Sequence, residues 1–214
     1  SSWQQYRAFI KETVEGIQGL EASLAYDYYK GLIFGVRLSV NGIKRLVDSD
    51  INPSRGFKLD VDITYEKNKF IEGLDLSDAG TLVPNWANND LWRMQQSSSL
   101  FFAIPTTNRM TISLESIAGT ISNVEADSFF HFFAGGLNGL KGYPFYSIEG
   151  KSIAIATGTL RVPIFREKHI PLSWFILQNC TLGFIGQIGD AWSQTMEEPN
   201  WLRSVGIQWR INGF

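Results

Sequence analysis

The stretch GGLNGLKGYPFYSIEG, residues 135–150, is the densest glycine and aromatic segment of the chain. Glycines at 135, 136, 139 and 142 give a backbone free to turn sharply or to lie close against another surface. Pro144, between Tyr143 and Phe145, stiffens the middle. The stretch holds no alternating run of strand length, yet strand-like segments lie on both sides of it. A connection of this length inside a folded chain is functional or packed into something. What it packs into depends on its flanks.

The flanks read with a period of two. Leu20, Ala22, Leu24, Tyr26 and Tyr28 alternate with Glu21, Ser23, Ala25 and Asp27. The pattern resumes after Lys30-Gly31 with Leu32, Phe34, Val36, Leu38 and Val40. The third run is the clearest: Phe57, Leu59, Val61, Ile63 and Tyr65 face one way, Lys58, Asp60, Asp62, Thr64 and Glu66 the other. A weaker strand is expected at 92–104, and further strands at 110–115, 151–163, 172–188 and 202–212. A long loop is expected at about 71–90, where Gly73, Gly80, Pro84 and Asn-Trp-Ala-Asn-Asn interrupt the pattern. Trp3, Tyr6, Ile10, Val14 and Ile17 recur at helical spacing, so residues 1–18 read as a helix, or equally as a loop or frayed strand.

This is an all-β pattern of roughly eight strands of ~10–15 residues, against ~5–6 in ordinary soluble sheets. A tilted strand needs ~9–11 residues to cross the hydrocarbon of a bilayer. Lys58, Asp60, Asp62 and Glu66 along one face suit a wet lumen better than a packed core. Tyr26, Tyr28, Tyr29, Tyr65, Trp92, Trp174, Trp192 and Trp209, near strand ends, are compatible with interfacial girdles. The reading is a transmembrane antiparallel β-barrel of outer-membrane type over residues 19–214, with 135–150 inserted into its lumen. The alternation leaves a soluble β-sandwich binding domain open. The uncharged run at 170–189 is long enough for a membrane helix, but Pro171, Asn179, Gly183, Gly186 and Gly189 make it a poor one.

Composition narrows function. The chain is 19% charged with a net charge of −2, and no basic stripe appears, so no nucleic-acid partner is expected. One cysteine, Cys180, and two histidines, His131 and His169, leave no metal site of Cys/His type. No nucleophile-elbow sequence occurs, so no catalytic residue is assigned and the chain reads as a non-enzyme, with no cofactor. The opening SSWQQYRAFIKETVEG lacks a basic region followed by an apolar core, which suits a cytoplasmic chain, a processed one or an interior fragment.

Residues 135–150, with the following LRVPIF and FIGQIGDAW, resemble the bacterial surface antigen family, the outer-membrane barrels of the BamA and TamA type and of two-partner secretion transporters. In that family a loop returns into the barrel carrying Arg-Gly-Tyr or Arg-Gly-Phe. The matching residues here are Lys141, Gly142 and Tyr143, followed by Pro144. Gly135 and Gly136 with Phe132 match the preceding Phe-x-x-Gly-Gly. Arg161 and Pro163 match an Arg-x-Pro strand end, and Gly189, Asp190 and Trp192 match part of Asp-x-Gly-Asp-x-Trp. PSRGFKLDVDITYE, residues 53–66, is similar to a further family strand.

The resemblance implies a barrel for assembly or translocation of proteins in the outer membrane of a Gram-negative-type bacterium. Its partners would be the bilayer, lipopolysaccharide, and other subunits or a fused periplasmic or extracellular domain. It also implies that this chain covers part of a larger barrel. In the family, acidic residues hold the loop arginine. Here the corresponding positions are Lys141 on the loop and Thr159 and Gln187 on the strands, with Arg161, Gly189 and Asp190 beside them. The expectations are that the Lys141 side chain donates to Gln187 or Thr159, and that Tyr143, Pro144, Phe145 and Tyr146 hold the loop by packing. Lost charges favour a membrane anchor or scaffold over an assembly factor. A small passive channel is the other membrane reading.

Overall fold

The computed structural model describes residues 1–13, 21–44, 53–78, 80, 82–105, 110–123, 125–165, 170–172, 175–193 and 199–213. Its strands are β1 (Ser2–Thr13), β2 (Glu21–Asn41), β3 (Gly56–Leu76), β4 (Leu82–Ala103), β5 (Thr111–Ile121), β6 (Phe132–Phe133), β7 (Glu149–Gly150), β8 (Ser152–Phe165), β9 (Ile170–Leu172), β10 (Phe175–Trp192) and β11 (Leu202–Gly213). The chain is all-β, with a large antiparallel sheet of long strands. Hydrogen bonding orders the sheet β1-β2-β3-β4-β5-β8-β10-β11, with β9 on β10, and β6 and β7 form a separate hairpin.

Several strands outrun the expected lengths. β2 and β3 have 21 residues each and β4 has 22. The two runs on either side of Lys30-Gly31 form one strand. Tyr26, Tyr28, Leu32 and Phe34 all fall on even numbers in the sequence, but the pairing with β1 skips Tyr28, so β2 is bulged there. Gly31 lies under the Tyr29 ring, which a Cβ there would strike. Over 71–90 the structure replaces most of the expected loop with strand. β3 runs to Leu76, β4 begins at Leu82, and the turn sits between them, closed by Gly80 N–H to the Ser77 carbonyl at 2.8 Å. Gly80 has φ +73°, which only the absence of a Cβ makes easy. Cross-strand pairing overrides the low strand preference of Pro84 and the asparagines.

The start of the chain is also a strand where helical spacing was one expectation. β1 pairs with β2 from Ser2↔Ile33 to Thr13↔Glu21, with a register shift between Tyr6 and Arg7. The extra, unpaired residue is Tyr28 on β2, between Tyr29 opposite Tyr6 and Asp27 opposite Arg7, so β1 itself carries no insertion; Trp3, Tyr6 and Phe9 on it are exposed. Val14 and Ile17 lie outside the described residues. The uncharged run at 170–189 falls in β9 and β10, and Trp174 lies outside the described residues.

Contacts group the chain into two units, Ser1–Val36 with Ile63–Arg93, and Arg37–Asp62 with Met94–Phe214. In the first, the face carrying Glu66 and Asn68 is buried and polar. Tyr29 Oη donates to Asn68 Oδ1 at 2.8 Å, Asn68 Nδ2 donates to Glu66 Oε2 at 3.2 Å, and Arg93 Nε donates to Glu66 Oε1 at 2.8 Å. Each buried polar group thus has a partner, which removes most of its desolvation cost. Lys30 lies over the Trp86 ring, 4.9 Å from its centroid.

In the second unit, the ends of β2 and β3 carry Arg37 paired with Asp62, Ser39 Oγ donating to Asp60 Oδ1 at 2.6 Å, and Lys58 3.0 Å from Asp60. Leu38, Val40 and Phe57 are exposed. The same division runs across β5, β8, β10 and β11 as cross-strand rows. One face holds Thr111/Arg161/Gly183/Gln208, Ser113/Thr159/Ile185/Gly206 and Glu115/Thr157/Gln187/Ser204. The opposite face holds Val162/Leu182/Trp209, Ile112/Leu160/Phe184/Ile207 and Leu114/Gly158/Gly186/Val205. The polar face is the covered one. The apolar face is open, with Val205 90%, Ile207 72% and Trp209 66% exposed.

Candidate functional site

The segment 126–150 lies on the polar face of β8, β10 and β11. It opens with a 3₁₀ turn at Ser128–Phe130, capped by the Asp127 carboxylate accepting from Phe129 N–H at 2.9 Å. The β6–β7 hairpin follows, pairing Phe132 with Gly150 and Phe133 with Glu149, and the glycine-rich loop is its long connection. The loop is tied internally. Leu140 N–H donates to the Ala134 carbonyl at 2.7 Å, Gly136 N–H to the Tyr143 carbonyl and Tyr143 N–H to the Leu140 carbonyl, both at 3.1 Å.

Sequence explains this compaction residue by residue. Gly136 has φ +92°. A Cβ on Gly139 would overlap the Ala134 carbonyl, one on Gly135 the Pro144 carbonyl, and one on Gly150 the Trp192 backbone. The glycines at these positions therefore serve close backbone approach rather than mobility. Tyr146 takes φ 60° without being glycine, and its ring packs edge-on against Phe133 at 4.8 Å between centroids. The loop's apolar anchors are Ala134 and Leu140, both 0% exposed, and Ile148, packed with Ile153, Ile155 and Ala191 of the sheet. Ile117, Phe132, Tyr143 and Leu202 border that cluster.

Beside this apolar contact stands the Gln187 amide. Its Oε1 accepts from Lys141 N–H and from Ser204 Oγ, each at 2.9 Å. Its Nε2 donates to the Gly139 carbonyl at 2.9 Å and to Thr157 Oγ1 at 3.0 Å. Two bonds fix the side chain to neighbouring strands, and two hold the loop backbone. A carboxylate in this place would accept from Lys141 but give nothing to Gly139. Tyr143 Oη adds a bond to the Arg203 carbonyl at 3.3 Å, and Gly142 lies over Ser204.

Several expectations change here. Gln187 meets the loop as anticipated, but through the main chain of Lys141 and not its ammonium. Lys141 is exposed and lines a cleft of about 250 Å³ with Glu115, Thr157, Ser97, Ser99 and Asn138. Thr159 is buried one row from Gln187, at the position paired with Ile185. Of the four residues expected to hold the loop by packing, Tyr143 alone borders the apolar cluster; Phe145 and Tyr146 are exposed, Tyr146 packing only on Phe133 of the loop's own hairpin, and Leu140 is the buried anchor. Pro144 acts through its carbonyl, which accepts from Ser147 Oγ at 2.8 Å.

Arg161 lies two rows from Gln187 and away from the loop. It is buried, its Nη2 stands 3.6 Å from Glu115 Oε1, and its Nε and Nη1 have no hydrogen-bond partner. Gly189 packs tightly on Ala154 and Ile155. Asp190 is buried, and its Oδ2 accepts from Asn200 N–H at 2.7 Å, which ties down the β10–β11 connection and not the loop.

Sequence reading missed Leu140, Thr157, Ser204 and the pair His131–Glu149. Thr157 and Ser204 flank Gln187 in register, which parity alone does not specify. Among the described residues no cluster of His, Cys, Asp and Glu is arranged to hold a metal ion. Neither a protein-family model nor a curated protein sequence matches the chain.

Proposed function

We propose that this chain forms wall strands of an outer-membrane β-barrel and that the loop at 135–150 is its inward plug, the whole serving as a membrane anchor or scaffold. The open apolar face of β5, β8, β10 and β11 carries the reading. The β8 side chains on that face are apolar from Ala154 to Ile164, ~33 Å at ~3.3 Å per residue, with Ser116 and Arg203 in the Ala156 row and Asp190 in the Ala154 row marking its polar border. With a strand tilt of ~40° this is a band ~25 Å tall, the height of the apolar belt of outer-membrane barrels. A soluble sandwich would bury such a face under a second sheet.

The resemblance to the bacterial surface antigen family agrees with a loop laid on the polar face. Departures from it favour anchoring over assembly of other proteins. A charged lock able to open and re-form is replaced by a neutral amide with every hydrogen-bonding position used. The partners of an anchor are the bilayer, its lipopolysaccharide, and a domain or subunit held at the surface.

Detergent extraction with heat-modifiable gel migration tests the membrane reading. Migration unchanged by boiling, together with solubility in buffer alone, rules it out. Planar-bilayer recording separates plug from pore: an anchor gives a closed baseline, and a steady conductance supports the passive channel.

A further inference from the structure

His131 stands at the base of the loop between two acceptors. Its Nδ1 lies 2.6 Å from Glu149 Oε1 on β7, and its Nε2 lies 3.1 Å from the Ala126 carbonyl ahead of the 3₁₀ turn. Its side chain is 11% exposed. A carbonyl and an ionised carboxylate only accept, and a neutral imidazole carries a single N–H. The neutral ring can satisfy one of these partners and must turn a lone pair toward the other. The doubly protonated ring satisfies both.

The place matters as much as the geometry. Glu149 begins the chain's exit from the loop, and His131 immediately precedes its start at β6. The bridge thus closes the loop's two ends beside the Phe132–Gly150 pair. The other ionisable groups of these segments are Glu125, Asp127, whose Oδ1 is committed to Phe129 N–H, and Lys151.

We propose that His131 is a proton-operated latch: the imidazolium clips the entering and leaving segments of the loop together, and loss of its second proton loosens the loop from the sheet. The latch is closed while the ring carries both protons and opens when it carries one. It concerns the loop base alone and holds whether or not the sheet lies in a bilayer.

Amide exchange across residues 135–147 in the full chain, normalised to intrinsic rates, tests this at several pH values from about 5 to 8. Protection is expected to fall by roughly tenfold or more as pH rises, the scale of a charge-assisted hydrogen bond. His131→Gln and Glu149→Gln are each expected to flatten that slope. Nitrogen NMR of the ring reads the protonation directly. Constant protection in the unaltered chain overturns the latch, as does a slope that survives in both variants, or a ring singly protonated at the low end.

Discussion

The Gln187 side chain donates to the Gly139 carbonyl at 2.9 Å while accepting from Lys141 N–H at the same distance. One amide therefore reads both polarities of the loop main chain, which no carboxylate does. Gln187→Glu should undock the loop almost as fully as Gln187→Ala, despite near-identity of shape. Both changes strand buried groups, so a cost of about 2–4 kcal/mol is expected for each. Protease sensitivity of 135–147 measures it. A Glu variant as protected as the parent would show that the carbonyl contact is dispensable.

The loop glycines give a second test. A methyl at Gly139 overlaps the Ala134 carbonyl, and Gly136 holds φ +92°. Gly139→Ala has no flexible neighbour to displace, so it should cost more than Gly136→Ala, where the obstacle is the exposed Phe145 ring. The expected order is about 3 kcal/mol or more at 139 against about 1–2 at 136. The temperature at which the folded gel band is lost ranks them. Equal losses would mean that the loop relaxes as a whole.

Arg161 is buried with two nitrogens lacking partners, and Glu115 stands 3.6 Å away. Such a charge is weak support for stability, and an apolar replacement of similar length often does as well or better. Arg161→Met should leave stability unchanged or raise it, by up to about 1–4 kcal/mol. Glu115→Ala, which withdraws the facing carboxylate, should lower it by about 1–3 kcal/mol. The same thermal assay reads both, and a large loss in Arg161→Met would reveal a structural role for the guanidinium.

How much of this was legible differs by kind of information. Parity was readable, because side chains alternate strictly along a strand. Leu32, Phe34, Val36, Leu38 and Val40 kept one phase on the exposed face of β2, and Val205, Ile207, Trp209 and Ile211 named the open face of β11. Strand ends were less readable, since pairing carried β3 and β4 through Gly73 and Pro84 to a turn marked only by Ser77, Asp78 and Gly80. Register was not readable at all. It alone sets Thr157 and Ser204 beside Gln187, and without it the amide's partners looked like side chains and not the backbone of Gly139 and Lys141.

The exposed band gives the sharpest test of the membrane reading. Ile207 and Gln208 are neighbours on β11, one on the open apolar face and the other half-buried on the polar face. If the open face meets hydrocarbon, Ile207→Arg should cost about 2–4 kcal/mol near the bilayer middle, whereas Gln208→Glu, which still accepts from Arg210 Nε, should cost little. In water the order reverses or vanishes, because an arginine at an open surface is nearly free. Folding yield into lipid vesicles, read by heat-modifiable migration, reports the difference. Quenching of Trp209 by brominated acyl chains reads the same geometry without a variant, and an unquenched Trp209 in folded protein would place this face outside the membrane.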